Sequence, residues 1–99
     1  MESFVMDQDL IVNAVCIYEA NKLNIDPEDV VVDLFYDDEM AQPFGAEIWE
    51  GDTMHHEISM VELIAAIRFW LDDYSPIDPM SASIDLQFDD DAGFSAMID

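Results

Sequence analysis

Apolar residues in this chain recur at two spacings, and the spacing changes at turn signals. Leu10, Ile11, Ala14, Val15 and Tyr18 advance in steps of three and four behind Asp7, whose side-chain oxygen suits a helix N-cap. The spacing predicts a helix over about residues 8–23. Asp26-Pro27 then breaks the period, because proline disfavours helix for the residue before it. Val30, Val32, Leu34 and Tyr36 alternate with Val31, Asp33 and Phe35, which predicts a strand with two distinct faces. After a loop over residues 37–43, Phe44, Ala46 and Ile48 return as the second strand of a hairpin. Gly51-Asp52 turns the chain again, into a strand whose Met54, His56 and Ile58 are expected on one face.

Ser59-Met60-Val61-Glu62 has the form of a capping box and opens a second helix. Its expected face is Leu63, Ile64, Ile67, Leu71 and Tyr74, widened by Phe69 and Trp70, and Ser75-Pro76 is its expected stop. Ala82, Ile84, Leu86 and Phe88 form the inward face of the next strand, with Ser83, Asp85 and Gln87 outward. Gly93 eases a hairpin turn before Phe94, Ala96 and Ile98. A short strand over residues 2–6 is expected to open the chain.

The two halves of this pattern echo each other. A shift of 52 pairs Ala14 with Ala66, Ile25-Asp26-Pro27 with Ile77-Asp78-Pro79, and Asp37-Asp38 with Asp89-Asp90. No gap is needed until the hairpin tip, where the first copy is two residues longer, as an exposed turn tolerates. The expected fold is therefore α+β, a tandem pseudo-repeat β-α-β-β-β-α-β-β, with a mostly antiparallel sheet and two helices on one face. Neither half-repeat, residues 1–50 or 51–99, holds enough apolar surface to stand alone, so residues 1–99 are read as one domain.

Composition changes what such a fold is expected to do. The 99 residues carry 24 acids against Lys22 and Arg68, a formal charge of −22, while 52% of the chain is hydrophobic. That apolar content argues for a packed core. The charge excludes direct binding of nucleic acid or an anionic membrane surface, which needs clustered lysine and arginine. It leaves a basic protein partner, bound cations, or acidity that serves solubility. A single cysteine, Cys16, fits a reducing compartment, and no leader or membrane-spanning run is evident, so a cytoplasmic location is expected.

The segment Phe88-Asp-Asp-Asp-Ala-Gly-Phe-Ser-Ala96, with the small size and the acidity, resembles the YxcD-like family of small uncharacterised proteins from Bacillus-type bacteria. The resemblance covers nearly the whole chain. It implies a bacterial cytoplasmic protein and brings no activity, cofactor or binding residue to carry over.

The conspicuous chemistry lies in two acidic hairpin tips, Asp37-Asp38-Glu39 and Asp89-Asp90-Asp91. Aspartate is at home in turns, so solvated loops are the plain reading. The sharper one is that the tips imitate the charge of a nucleic-acid backbone and engage a basic nucleic-acid-binding protein. Calcium binding is a weaker alternative, because the ion takes six to eight oxygens and the EF-hand spacing is absent. His55 and His56, adjacent in a strand, point to opposite faces and cannot grip one metal together. Cys16 has no companion cysteine and reads as a structural thiol.

No nucleophile elbow, phosphate-cradling glycine loop or His-Glu-x-x-His motif occurs, so no catalytic, cofactor or metal residue is expected. On the outward sheet face Val31, Phe35 and Trp49 contrast with Ser83, Gln87 and Asp99 at the corresponding positions of the second half, which marks a candidate association surface. The chain is thus expected to be a non-enzymatic acidic binding module for a basic protein, or else a self-associating homodimer.

Overall fold

A computed structural model of the chain describes residues 4–74, 78 and 80–99. The elements run β1 (Phe4–Met6), α1 (Gln8–Leu23), a 3-10 turn (Pro27–Asp29), β2 (Val30–Tyr36), β3 (Phe44–Glu50), β4 (Thr53–Ile58), α2 (Met60–Tyr74), β5 (Ile84–Asp89) and β6 (Gly93–Ile98). Residues 2 and 3 of the expected first strand, the Ser75-Pro76 helix stop, and Ile77 and Pro79 of the second Ile-Asp-Pro lie outside the described residues.

Both helices start where the sequence supplies a cap. Asp7 Oδ1 accepts from the backbone N–H of Leu10 at 2.9 Å, which satisfies one of the donors left over at a helix start. Asn24 closes α1 in a left-handed conformation, φ 60°, its N–H donating to Ala20 O. At α2 the Ser59 hydroxyl accepts from Glu62 N at 3.4 Å, half of the expected capping box. The other half is replaced: the Glu62 carboxylate reaches across to Lys22 on α1, at 3.5 Å.

The strands form two antiparallel three-stranded sheets, ordered β1-β6-β5 and β2-β3-β4, so the fold is α+β. The expectation of one sheet is refined by the exchange of opening strands. β1 leaves the first half to pair with β6, placing Met6 opposite Ala96. β4 leaves the second half to pair with β3, placing Ile58 opposite Ala46. Each hairpin is thereby completed by the other half's opening strand, so that β6 and β3 are the central strands, with β1 and β5 at the edges of one sheet and β2 and β4 at those of the other.

One buried cluster draws on both halves: Met6, Ile11, Ala14 and Val15 with Ile48, Ile58, Leu63, Ile67, Leu71 and Ile98. Fully burying each large aliphatic side chain contributes roughly 1.5–3 kcal/mol relative to exposure. Contacts also recur at the 52-residue interval. The Cys16 thiol donates to Val30 O at 3.5 Å, and Arg68 Nη1 donates to Ala82 O at 2.9 Å. An overall twofold is an expectation from the sequence, and these paired contacts are what the fold adds to it.

Two side-chain placements differ from the expected alternation. A bulge between Ile48 and Trp49 gives β4 an extra residue, His55, so Met54 pairs with Trp49 instead of sharing the inner face with His56 and Ile58. Tyr74 was expected on the core face of α2 but is 58% exposed, stacked on Trp70 at 5.9 Å in the last turn.

Candidate binding surface

Strand β2 ends at Tyr36 and β5 one residue past Phe88, and these two aromatic residues meet. Tyr36 and Phe88 stack at 5.0 Å with 13° between their planes. Phe44 sits edge-on to Tyr36 at 5.0 Å, and Phe94 lies 4.8 Å from Phe88 and 6.2 Å from Phe44, closing a ring of four. Such pairs add about 0.5–1.5 kcal/mol each beyond their buried area. Both hairpins therefore reach one end of the molecule.

The acidic tips begin at the next residue in each case, Asp37 and Asp89. Each loop is shaped by its own first carboxylate: Asp37 Oδ1 accepts from Glu39 N at 3.0 Å, and Asp89 Oδ1 accepts from Asp91 N at 2.8 Å. Asp37, Asp38, Glu39, Asp89, Asp90 and Asp91 are all exposed, while Tyr36 and Phe88 remain 41% and 39% exposed between them. Sequence reasoning singled out both tips but not the aromatic stack that joins their bases. The signal for it was present, since Tyr36 and Phe88 are 52 positions apart.

The outer face of β2-β3-β4 carries the other candidate residues in rows. Val31, Trp49 and Met54 lie opposite one another across the three strands. The next row is Asp33, Glu47 and Glu57, three carboxylates in direct cross-strand register. Beyond it Phe35 faces Gly45, and a Cβ on that glycine would stand 2.5 Å from Phe35 Cζ, so the ring lies where a side chain would be. Val31 and Trp49 are thus neighbours, whereas Phe35 is separated from them by the carboxylate row. Like charges directly opposite one another destabilise a sheet.

A buried acid escaped the sequence reading. Glu19 on α1 is wholly buried, and His56 Nε2 on β4 donates to its Oε1 at 3.0 Å. Its Oε2 is buried without a hydrogen-bond partner. The residues 52 positions from this pair, Leu71 and Phe4, are apolar, a contrast visible in the sequence once the shift is known. His55 instead meets Glu50 at 2.9 Å on the exposed side, so the two histidines serve different carboxylates.

Cys16 is half-buried, and that burial raises its thiol above the ordinary value of 9.0. Among the described residues no group of three His, Cys, Asp or Glu side chains converges to hold a metal ion, the acidic tips included. No helix of the described residues is long and apolar enough to cross a membrane.

Comparison with known proteins adds kinship. No solved structure matches the chain. A relative in Bacillus subtilis (strain 168), described as "Uncharacterized protein YxcD", is 34% identical over 96 residues, which span 95% of this chain and 90% of the relative. Residues 1–91 match the model of the family described as "Protein of unknown function (DUF2653)". With nearly its whole length aligned in both comparisons, the chain belongs to the DUF2653 family, of which the YxcD-like resemblance is the sign in its sequence.

Proposed function

We propose that this protein is a non-enzymatic acidic binding module that engages a basic, nucleic-acid-binding protein at the end where its two hairpins meet. The observation that carries the reading is the Tyr36–Phe88 stack, partly exposed at the base of two loops holding six carboxylates. Exposed aromatic faces bracketed by negative charge attract cationic side chains both through the ring quadrupole and through the field around them. The same charge repels nucleic acid, so the module competes with DNA or RNA for its partner and does not bind them.

Attraction of this kind is long-ranged and is screened over about 10 Å at 0.1 M salt. Capture of partners from a cell extract at low salt, followed by titration of the purified partner at rising salt, should show steep weakening and displacement by duplex DNA. Replacing Asp37, Asp38, Asp89 and Asp90 by Asn should reduce binding with the fold preserved. Unchanged affinity in that variant would reduce the tips to solvated turns. A calcium-specific rise in melting temperature, beyond that of sodium chloride at equal ionic strength, would favour the cation reading instead.

The Val31–Trp49–Met54 row supports a second reading, self-association through the outer face of β2-β3-β4. Val31 is 52% exposed and Met54 39%. A twofold dimer is the default geometry for such a contact. Sedimentation should then show a dimer that Trp49→Asp converts to monomer, and a wild-type monomer at high micromolar concentration would dispose of it.

A further inference from the structure

We propose that the cleft between the β2–β3 hairpin and the start of α2 seats an arginine side chain of the basic partner. The proposal rests on the partner class proposed above and adds to it a specific anchoring site. The cleft measures about 230 Å³ and has Phe35, Met40, Phe44 and Met60 in its walls, with Glu57 and Glu62 beside them. Small-molecule sites usually occupy roughly 300–1,000 Å³, so this one is sized for a single side chain.

The shape depends on Gly45. Any Cβ there would come within 2.5 Å of Phe35 Cζ and 2.9 Å of Ile58 O, so only glycine lets the Phe35 ring lie down as a wall. Aromatic and thioether walls suit an aliphatic stem, and a planar guanidinium stacks on a ring face as a compact ammonium does not. The aromatic ring of four continues from the cleft, since Phe44 belongs to both.

Charge selects the occupant. The first turn of α2 contributes roughly half a positive charge at its N-terminus. Against it stand Glu57, which continues the row from Asp33 and Glu47, and Glu62, which already shares Lys22 at 3.5 Å. The tip residues Asp37, Asp38 and Glu39 follow directly from the strand that carries Phe35. The local field is negative. A second copy of the chain is poorly suited to supply the cation, because Lys22 and Arg68 are its only lysine and arginine. Lys22 is occupied by Glu62 and the Tyr18 ring, and Arg68 by Ala82 O.

The test uses nona-arginine and nona-lysine peptides, titrated calorimetrically into the full chain at about 0.15 M salt. Methionine methyl signals are followed in parallel by NMR. Nona-arginine should bind about tenfold more tightly than nona-lysine and shift the Met40 and Met60 methyl signals. Met40→Ala and Glu57→Gln, both at exposed positions, should each remove about threefold or more of the affinity for nona-arginine while leaving the circular dichroism spectrum unchanged. Equal binding of the two peptides with unmoved methyl signals would overturn the cleft proposal and leave the basic-partner reading standing. Failure of both peptides to bind would overturn the two together.

Discussion

Replacing Glu19 by leucine should make this protein more stable. Glu19 is wholly buried, accepts one hydrogen bond from His56 at 3.0 Å, and has a second oxygen with no partner. An orphaned buried polar atom costs roughly 1–3 kcal/mol, more when charged, and a hydrogen bond to a charged group returns about 1.5–3 kcal/mol. The two nearly cancel. Leucine adds about 1.5–3 kcal/mol of apolar burial, and the residue 52 positions on, Leu71, is itself a wholly buried leucine. His56, with 36% of its side chain exposed, can turn its ring nitrogen to water.

The expected net gain for Glu19→Leu is thus about 1.5–3 kcal/mol, with a melting temperature higher by about 4–8 °C per kcal/mol for a chain of this size. His56→Phe should do the opposite and cost about 3–5 kcal/mol, because it strands the carboxylate. The double variant should recover to at least the single Glu19→Leu value. Differential scanning calorimetry at neutral pH and urea titration would measure all three. A fall in stability for Glu19→Leu with two-state unfolding intact would refute the reasoning, and would mean that the pair contributes more than its desolvation costs.

Other changes follow from the same geometry. Glu47→Lys sets a cation between Asp33 and Glu57 and should raise stability by about 1–2 kcal/mol, from two cross-strand pairs of about 0.2–1 kcal/mol each reversed in sign; the gain should shrink with salt. Gly45→Ala should cost about 1–3 kcal/mol through overpacking, and Phe35→Ala should recover part of that in a double-mutant cycle, the clash with Ile58 O remaining. Cys16 should react slowly with a thiol reagent in the native state and rapidly in urea, since burial keeps it protonated. Because its folded value lies above the unfolded one, its contribution to stability is complete below pH 9.0 and is lost as pH rises through the folded value, which Cys16→Ala should abolish in an alkaline stability profile.

Much of the architecture is local and was therefore legible in the sequence. The N-cap at Asp7, the serine before α2, the 3.6-residue period of α1 and the alternation of β2 depend on neighbours a few positions away, and the elements lie where these signals place them. The shift of 52 also pairs Tyr36 with Phe88 and Cys16 with Arg68, but by itself it says nothing of which of these residues touch. What a strand pairs with is not local. That β1 completes the second hairpin and β4 the first follows from which apolar faces must be buried together, a global condition with no signature in any one stretch.

The tertiary structure also decided the chemistry of individual side chains. One extra residue at His55 moved Met54 to the face of Trp49, and helix packing turned Glu19, an ordinary helix-forming residue by its letter, into the buried partner of His56. The stacking of Tyr36 on Phe88 brings two acidic tips, 52 residues apart in sequence, to one end of the molecule. Sequence alone determined that the chain carries −22 charges and lacks the basic residues to neutralise them; only folding determined which of those carboxylates stand beside an aromatic surface, because charge is a sum over residues and a binding surface is an arrangement of them.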